Sequence, residues 1–375
     1  MKEKKHFLPD RLAVYGGLGL LLVLGLCALF LRQDFSAWER RSLTGLPQNL
    51  SLQNWTLNED LEDELSDQVP GRRYLVNLYA EAQVLTGRAQ QLEAWPQGDS
   101  FLEPPVSGSA EQAKRRVSQM KELAGEIPCL FLVAPSGGIQ RMNGMPALVR
   151  IVYAEEEELY EAVTQDERFV PVSLFFSAML SSEPRLPDQL YYRTDHHWTL
   201  DGAYRAYRAF CKKAGLEPAN LSDFTLTEYQ PFLGTTYSRS GLPFAKADTI
   251  HCAEPAWPVR LSVPAEGIET DHLIFPEEAQ TYDGYAVYLK GNHGLLEIRS
   301  PEAETEETLV VFKDSFANCF LPFLTKHYAR IIAADARYME GTFRDVLESA
   351  GADRILYLYS LDSLVNDTAI IRKLR

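Results

Sequence analysis

The chain has 375 residues, enough for one large domain or two modest ones. With 46% apolar and 11% aromatic residues it can bury a substantial core. Its net charge of −15 argues against nucleic acid as a partner, because phosphates demand a basic footprint.

Residues 12–31, "LAVYGGLGLLLVLGLCALFL", form about twenty residues without a charge, long enough to cross roughly 30 Å of hydrocarbon. Lys2, Lys4, Lys5 and Arg11 precede the run against Glu3 and Asp10; Arg32, Gln33 and Asp34 follow it. The positive-inside rule then predicts a cytoplasmic tail over 1–11, a single-pass anchor in the cell membrane over 12–31, and an extracytoplasmic remainder. A cleaved signal peptide would carry a shorter apolar core ending in a small-x-small site, which this stretch lacks. Leu26 directly before Cys27 fits lipoprotein processing poorly. Cys129, Cys211, Cys252 and Cys319 lie in the outside portion at spacings that match no zinc or redox pattern.

Residues 32–57 read as a polar linker to an extracytoplasmic domain over 58–375. Asn58 to about Arg88 reads as helix broken at Pro70-Gly71. A second helix is predicted from Ser109 to Glu126, stopping before Pro128, and "CLFLVAPS" then reads as a buried strand. The alternation continues with "EEEELYEAVTQ" and "FVPVSLFF". Glu155 to Glu158 are expected in the first turn of an exposed helix, where its dipole favours acidic residues.

Towards the C-terminus, "TLVVF" (308–312), "ARIIAA" (329–334) and "RILYLY" (354–359) are apolar runs of strand length. "SFANCFLPFLTKHY" and "GTFRDVLESAG" separate them as predicted helices. Strands and helices at this spacing imply an α/β fold, a central parallel sheet covered on both faces. Between about 216 and 307 the chain turns Pro-, Gly- and Tyr-rich, with strand candidates such as "YAVYLKG" and "GLLEIRS". That region is expected to be a β-rich insertion or cap.

Two stretches carry chemistry. In "TLVVFKDSFANCF" an apolar strand ends at Phe312, and Lys313-Asp314-Ser315 turns into the next element. A serine there stands at the carboxyl edge of the sheet, where open α/β folds bind ligands, and the following N–H groups suit an oxyanion. Asp and Ser are equally good helix N-caps. The other stretch is "YYRTDHHWTLDGAY". Leu200, Ala203, Tyr204, Tyr207, Phe210, Cys211 and Ala214 mark one apolar face of a helix that Thr199 can cap. Thr194 to Trp198 therefore occupy a loop before it. Asp195 and His197 would share a side of an extended chain, with His196 pointing away. These residues suit a general base with its orienting acid, a metal site, or a satisfied turn. A metal phosphoesterase would need further aspartates, and the chain has no Asp-x-Asp; His251, His272, His293 and His327 show no ligand spacing.

The order Asp-x-His-Trp, then Asp-Ser after an apolar strand more than a hundred residues later, resembles the SGNH-hydrolase-like proteins of polysaccharide O-acetylation. The alginate O-acetyltransferases are their best-known members. The double histidine is similar to the DHHW protein family of Gram-positive envelopes. "WERRSLTGLPQ", "LSDQVPGRRYL", "FLGTTYSRSG", "GNHG" and "VVFKDSFANCFLPFL" carry further likeness. The resemblance implies an SGNH-like three-layer α/β/α fold with Ser315 as nucleophile, His197 as base and Asp195 as orienting acid. Trp198 would pack the loop onto the following helix, and His196 has no role that the resemblance supplies. The implied function is a membrane-anchored O-acyltransferase or esterase acting on cell-envelope polysaccharide. It implies an acyl donor, a membrane-bound O-acyltransferase as partner, and no cofactor or metal. A non-catalytic scaffold or carbohydrate-binding component of the same apparatus is the alternative. Two departures stand out. Lys313 occupies the place where a glycine commonly precedes Asp-Ser. The oxyanion blocks reduce to two candidates, Asn292 in "GNHG" and Gly234 in "FLGTTYS", and Asn292 serves equally as a turn residue.

Overall fold

The computed structural model describes residues 7–45, 57–141, 145, 147–172 and 189–375. It divides into two compact units, Met1–Leu92 with Ser238–Phe244, and Glu93–Tyr237 with Ala245–Arg375.

The first unit holds helices α1 (Phe7–Phe30), α2 (Leu57–Gln68) and α3 (Arg72–Leu85). The predicted break falls between the last two. Gly71 there has φ 76°, a left-handed conformation that glycine adopts without a Cβ penalty. The side chains of α1 are described only between Val14 and Ala28, with Phe30 beyond, and most of them are exposed. Among the described residues no helix is long and apolar enough to cross a membrane. Most of the expected tail, residues 1–6, and residues 46–56 of the expected linker lie outside the described residues. The described part of that linker is tied down. Arg41 makes a forked pair with Asp67 of α2 at 2.8 and 2.6 Å, and Thr44 donates its N–H to the same carboxylate at 2.8 Å. The Arg41 hydrogen bond holds the Asp67 carboxyl well below the usual carboxylate range.

The second unit runs α4 (Ala110–Ala124), β1 (Cys129–Ala134), α5 (Gly137–Arg141), α6 (Ala147–Val163), α7 (Leu200–Ala214), β2 (Phe224–Phe232) and β3 (Asp248–Pro255). It continues with β4 (Arg260–Val263), β5 (Ile268–Thr270), β6 (Leu295–Arg299), β7 (Thr305–Lys313), β8 (Tyr328–Asp335), α8 (Phe343–Ala350) and β9 (Arg354–Ser360). One seven-stranded sheet takes the order β1-β9-β7-β8-β6-β4-β5. The first four strands are mutually parallel, and β6, β4 and β5 add antiparallel to the β8 edge. The fold is thus mixed α/β about a central, mostly parallel sheet.

Strand β7 explains why both faces are covered. Leu309 and Val311 sit in one core with Trp198, Ala203 and Tyr207; Val310 and Phe312 sit in the other with Val117, Met120 and Phe343. Period-two alternation puts apolar groups on both faces, so neither can be left in water. Each large side chain so buried contributes roughly 1.5–3 kcal/mol before the entropy of ordering it. Helix α4 begins where Ser109 accepts the Gln112 N–H, and its buried stripe of Ala113, Val117, Met120 and Ala124 has the expected helical spacing. Cys129, Cys211, Cys252 and Cys319 are free thiols and all buried, as small hydrophobes would be.

Several local expectations change. The region 216–307 is not a separate cap: β4, β5 and β6 are hydrogen-bonded into the central sheet, and only β2 and β3 pair apart. "YAVYLKG" forms a 3-10 turn over Gly284–Val287, then left-handed residues at Leu289 (φ 59°), Lys290 (φ 63°) and Gly291 (φ 103°). "SFANCFLPFLTKHY" breaks into a 3-10 turn over Ser315–Ala317 and a short helix over Leu321–Leu324. Pro322 has no N–H, so a continuous helix would lose its bond to the Asn318 carbonyl. From "FVPVSLFF", Phe169 makes a parallel bridge to Phe131 of β1; residues 173–176 lie outside the described residues.

The four glutamates stand in the body of α6 rather than its first turn, and Glu156 faces inward at 1% exposure. Burial pushes its carboxyl up to about 7. The unfolded chain would release this proton near 4.5, so stability is lost as pH rises between the two values. Glu156→Gln removes that loss, with a ceiling of about 3 kcal/mol at neutral pH. The denaturation midpoint of the wild type should fall between pH 5 and pH 8, and that of the variant should not.

Candidate active site

The histidine loop is closed at its base by an antiparallel bridge between Tyr191 and Trp198. Arg141 from α5 donates to the carbonyls of Tyr191 and Tyr192 at 3.0 and 2.6 Å. Thr194 is buried, and its N–H and hydroxyl both reach Asp248 of β3, at 2.8 and 2.7 Å. Thr199 caps α7 by accepting the Gly202 N–H, as expected. The loop therefore has fixed ends and a fixed shoulder.

Within it the chain bends rather than extends. Asp195 Oδ1 accepts the His197 backbone N–H at 3.0 Å, and this turn brings His197 Nδ1 to the same oxygen at 2.6 Å. The other oxygen, Oδ2, accepts the Thr235 N–H at 2.8 Å. Gly234 lies directly against this carboxylate. A Cβ there would stand 2.2 Å from Asp195 Cβ, so only glycine leaves room. Its N–H donates to Thr194 Oγ1 at 3.0 Å. Gly234 thus makes space for Asp195 and is no free oxyanion donor, contrary to expectation.

On the far side of the imidazole, His197 Nε2 lies 2.7 Å from Ser315 Oγ. A carboxylate only accepts, so Asp195 holds the proton on Nδ1 and leaves Nε2 bare to accept the serine hydroxyl. Ser315 opens the 3-10 turn that follows β7. Asp314 caps that turn at the Phe316 N–H (3.0 Å) and accepts the Ser360 N–H (2.7 Å), fixing the turn to the end of β9. The Ser315 N–H is at the first position of the turn, where the turn itself supplies no acceptor.

The imidazole is held between two rings. Tyr285 lies parallel to it at 3.8 Å and 4°. His196 is 3.9 Å away at 35°, and two rings at such separations cannot share one face. His196 therefore lies tilted against His197 instead of pointing away, because the loop bends there. Trp198 is fully buried, and its Nε1 donates to the Phe316 carbonyl at 3.0 Å. It ties the histidine loop to the serine turn, beyond the expected packing onto α7. Tyr285 and Thr235 were not visible as site residues in the sequence. Tyr285 sits in a turn that alternation disguised as a strand, and Thr235 acts through a backbone N–H that no residue type announces.

Burial pushes the His197 imidazole down to about 4; charge on His196 acts the same way, and Asp195 opposes it. Burial also pushes the Asp195 carboxyl up, but the charges of His196 and His197 with the His197 and Thr235 hydrogen bonds outweigh it and hold it well below the usual range. At neutral pH the pair is a carboxylate and a neutral imidazole. Asp195, His196 and His197 offer ligand atoms within 4.8 Å of one another. Both nitrogens of His197 are engaged already, so a cation would have to displace Asp195 or Ser315 from the ring.

Asn292 follows the left-handed residues, and its Oδ1 accepts from Asn318 Nδ2 at 3.1 Å. Asn318 is three residues past Ser315, so Asn292 stands one hydrogen bond from the turn that carries the serine.

Comparison with known proteins bears on family and fold. The model of the DHHW protein family matches residues 164–334, which hold both the histidine loop and Ser315. A DHHW family protein from Eubacterium siraeum has a similar fold, with TM-score 0.61 and 20% identity, over 75% of this chain and 94% of that one. PatB1 from Bacillus cereus, solved with a sulfonyl adduct, is similar with TM-score 0.59 and 20% identity, over 74% of this chain and 97% of that one. No curated protein matches the chain. Residues 164–334 thus match the DHHW protein family, and the likeness in fold to the solved structures covers about three quarters of the chain.

Proposed function

We propose that the chain is a membrane-anchored serine acyltransferase or esterase that moves an acyl group, an acetyl in the simplest case, to or from hydroxyls of a cell-envelope glycan. The observation that carries this reading is the unbroken hydrogen-bond chain from Asp195 through His197 to Ser315. Ser315 Oγ attacks the ester carbonyl as its proton passes to His197 Nε2, with Asp195 stabilising the imidazolium. The Ser315 N–H and Asn292 Nδ2 face the developing oxyanion. Collapse returns the proton from His197 to the departing alcohol and leaves an acyl-serine. A sugar hydroxyl or water then attacks it, giving its proton to His197, and Ser315 takes that proton back as it leaves.

The envelope setting rests on the family and on residues 12–31, which carry no charge and make up most of α1. A membrane-bound O-acyltransferase as the source of the acyl group follows from the same family reading. If α1 is the anchor, alkaline carbonate should leave the full chain in the membrane pellet and release a chain starting at Gln33. Equal release of both would remove the anchor. The chemistry is tested by intact mass after phenylmethylsulfonyl fluoride is added to the full chain in detergent. One sulfonyl group should add to the wild type and none to Ser315→Ala. A scaffold without catalysis would leave both unmodified.

A further inference from the structure

We propose that Lys313 is a positioning residue for the oxyanion donor, its buried ammonium setting the amide orientation of Asn318 and, through it, that of Asn292. The inference rests on the acyl-transfer reading above and adds to it the residue that stands in place of the usual glycine.

Lys313 ends β7 at 0% exposure, and Nζ donates to Asn318 Oδ1 at 2.7 Å. An ammonium can only donate, so Asn318 must turn its oxygen towards Lys313 and its NH2 the other way. Both amide hydrogens are then used, one on the Gly291 carbonyl at 3.2 Å and one on Asn292 Oδ1 at 3.1 Å. Asn292 in turn must face Asn318 with its oxygen, which leaves Nδ2 as the end presented to the site. Asn292 can thus only donate.

An amide without such a partner flips readily, since its oxygen and nitrogen ends have nearly the same shape. Once Lys313 is removed, the Asn318 oxygen loses its donor, and only the Gly291 carbonyl, which accepts an amide hydrogen at 3.2 Å, still favours the present orientation. In the fraction of molecules whose Asn318 amide turns, Asn292 would present its own oxygen to the oxyanion, and repulsion would replace a hydrogen bond. Gly291, whose carbonyl Asn318 also holds, is the last of three left-handed residues before Asn292. The same amide therefore braces the backbone of the turn and orients the side chain at its end.

Stability alone gives little reason to bury a lysine here, because a buried ammonium costs free energy that an apolar side chain would not. The charged groups around Nζ are Asp335, Arg337 and Asp314, and Arg337 already pairs with both oxygens of Asp335, at 2.9 and 2.6 Å. Burial pulls the Lys313 ammonium down to about 8, the nearby carboxylates holding it up and Arg337 pushing it further down.

The test is steady-state turnover of p-nitrophenyl acetate by the full chain in detergent. Lys313→Met should lower kcat about 10- to 100-fold, short of the loss expected from deleting a donor outright. KM should stay within about twofold, and the thermal midpoint should hold or rise, since an unpaired buried charge has gone. The wild-type kcat should decline above about pH 8, and the variant should lack that decline. The neutral amine keeps its N–H donors but gains a lone pair, so it no longer forces the Asn318 oxygen towards it. Asn318→Asp keeps an acceptor for Lys313 but loses the donor to Asn292, so it should be impaired to a similar degree. The double variant should be no worse than the poorer single one. Wild-type kcat in Lys313→Met would overturn the proposal, as would a loss matched by a fallen thermal midpoint. Ser315→Ala run alongside separates the two readings: if it retains turnover, the acyl-transfer reading fails, and if it alone is dead, only the role of Lys313 falls.

Discussion

Ser315→Ala should reduce acyl-ester turnover by on the order of 10⁶-fold in kcat, leaving only a small residual rate above the uncatalysed reaction. Among the described residues, the hydroxyl is the group that Nε2 of His197 is placed to activate, at 2.7 Å. Without it no covalent intermediate forms, and residual rate comes only from binding and from oxyanion donors acting on water. Folding should be unaffected, because the turn is capped by Asp314 and anchored by the Trp198 bond to the Phe316 carbonyl, not by Ser315 Oγ. Stopped-flow measurement of product release should give a burst for the wild type, if deacylation is the slower step, and none for the variant. Undiminished turnover in the variant would sink the mechanism.

Asp195→Asn should lower kcat by at least about 10⁴-fold, because one amide oxygen cannot serve both Thr235 and the turn at His197. The carboxylate accepts three N–H groups, from the His197 backbone, His197 Nδ1 and the Thr235 backbone. An amide has one oxygen and cannot accept from both sides. If that oxygen keeps Thr235, the NH2 group faces Nδ1 and forces the imidazole proton onto Nε2. Ser315 then meets a donor instead of a base. The pH profile provides a second reading. With His197 pushed down to about 4, the acid limb of kcat/KM for the wild type should lie near that value rather than near 6.5. Wild-type kcat in the variant, with its loop intact, would mean that Asp195 does not set the tautomer.

The strands were legible because their patterns are nearly unambiguous. "TLVVF", "ARIIAA" and "RILYLY" are runs too apolar to stay in solvent and too short for a buried helix, and all three lie side by side in the parallel half of the sheet. The helix break at Gly71 was legible for a backbone reason, since few other residues adopt its left-handed φ without strain. The segments that misled are those in which local pattern competes with long-range contacts. "YAVYLKG" alternates like a strand, but its tyrosines serve the site and the neighbouring core while the backbone turns left-handed. The glutamate run looked uniformly solvated, and position alone could not say that Glu156 would face the core.

In the site, the sequence by itself determined the residue types and their chain order: an acid, two imidazoles and an indole before a helix, then a serine after an apolar strand. Those types limit the chemistry, because only some groups can donate, accept or lose a proton near neutral pH. How His197 reaches the serine was a matter of tertiary structure, decided by the Asx-type turn at Asp195 and by the Trp198 tether across 118 residues. So was the separation of the two oxyanion candidates, with Gly234 spent on making room for Asp195 and Asn292 joined by a hydrogen bond to Asn318 of the serine turn. The physical reason is common to all of these. Hydrogen-bond partners and burial are set by groups far apart along the chain, and no local pattern records them.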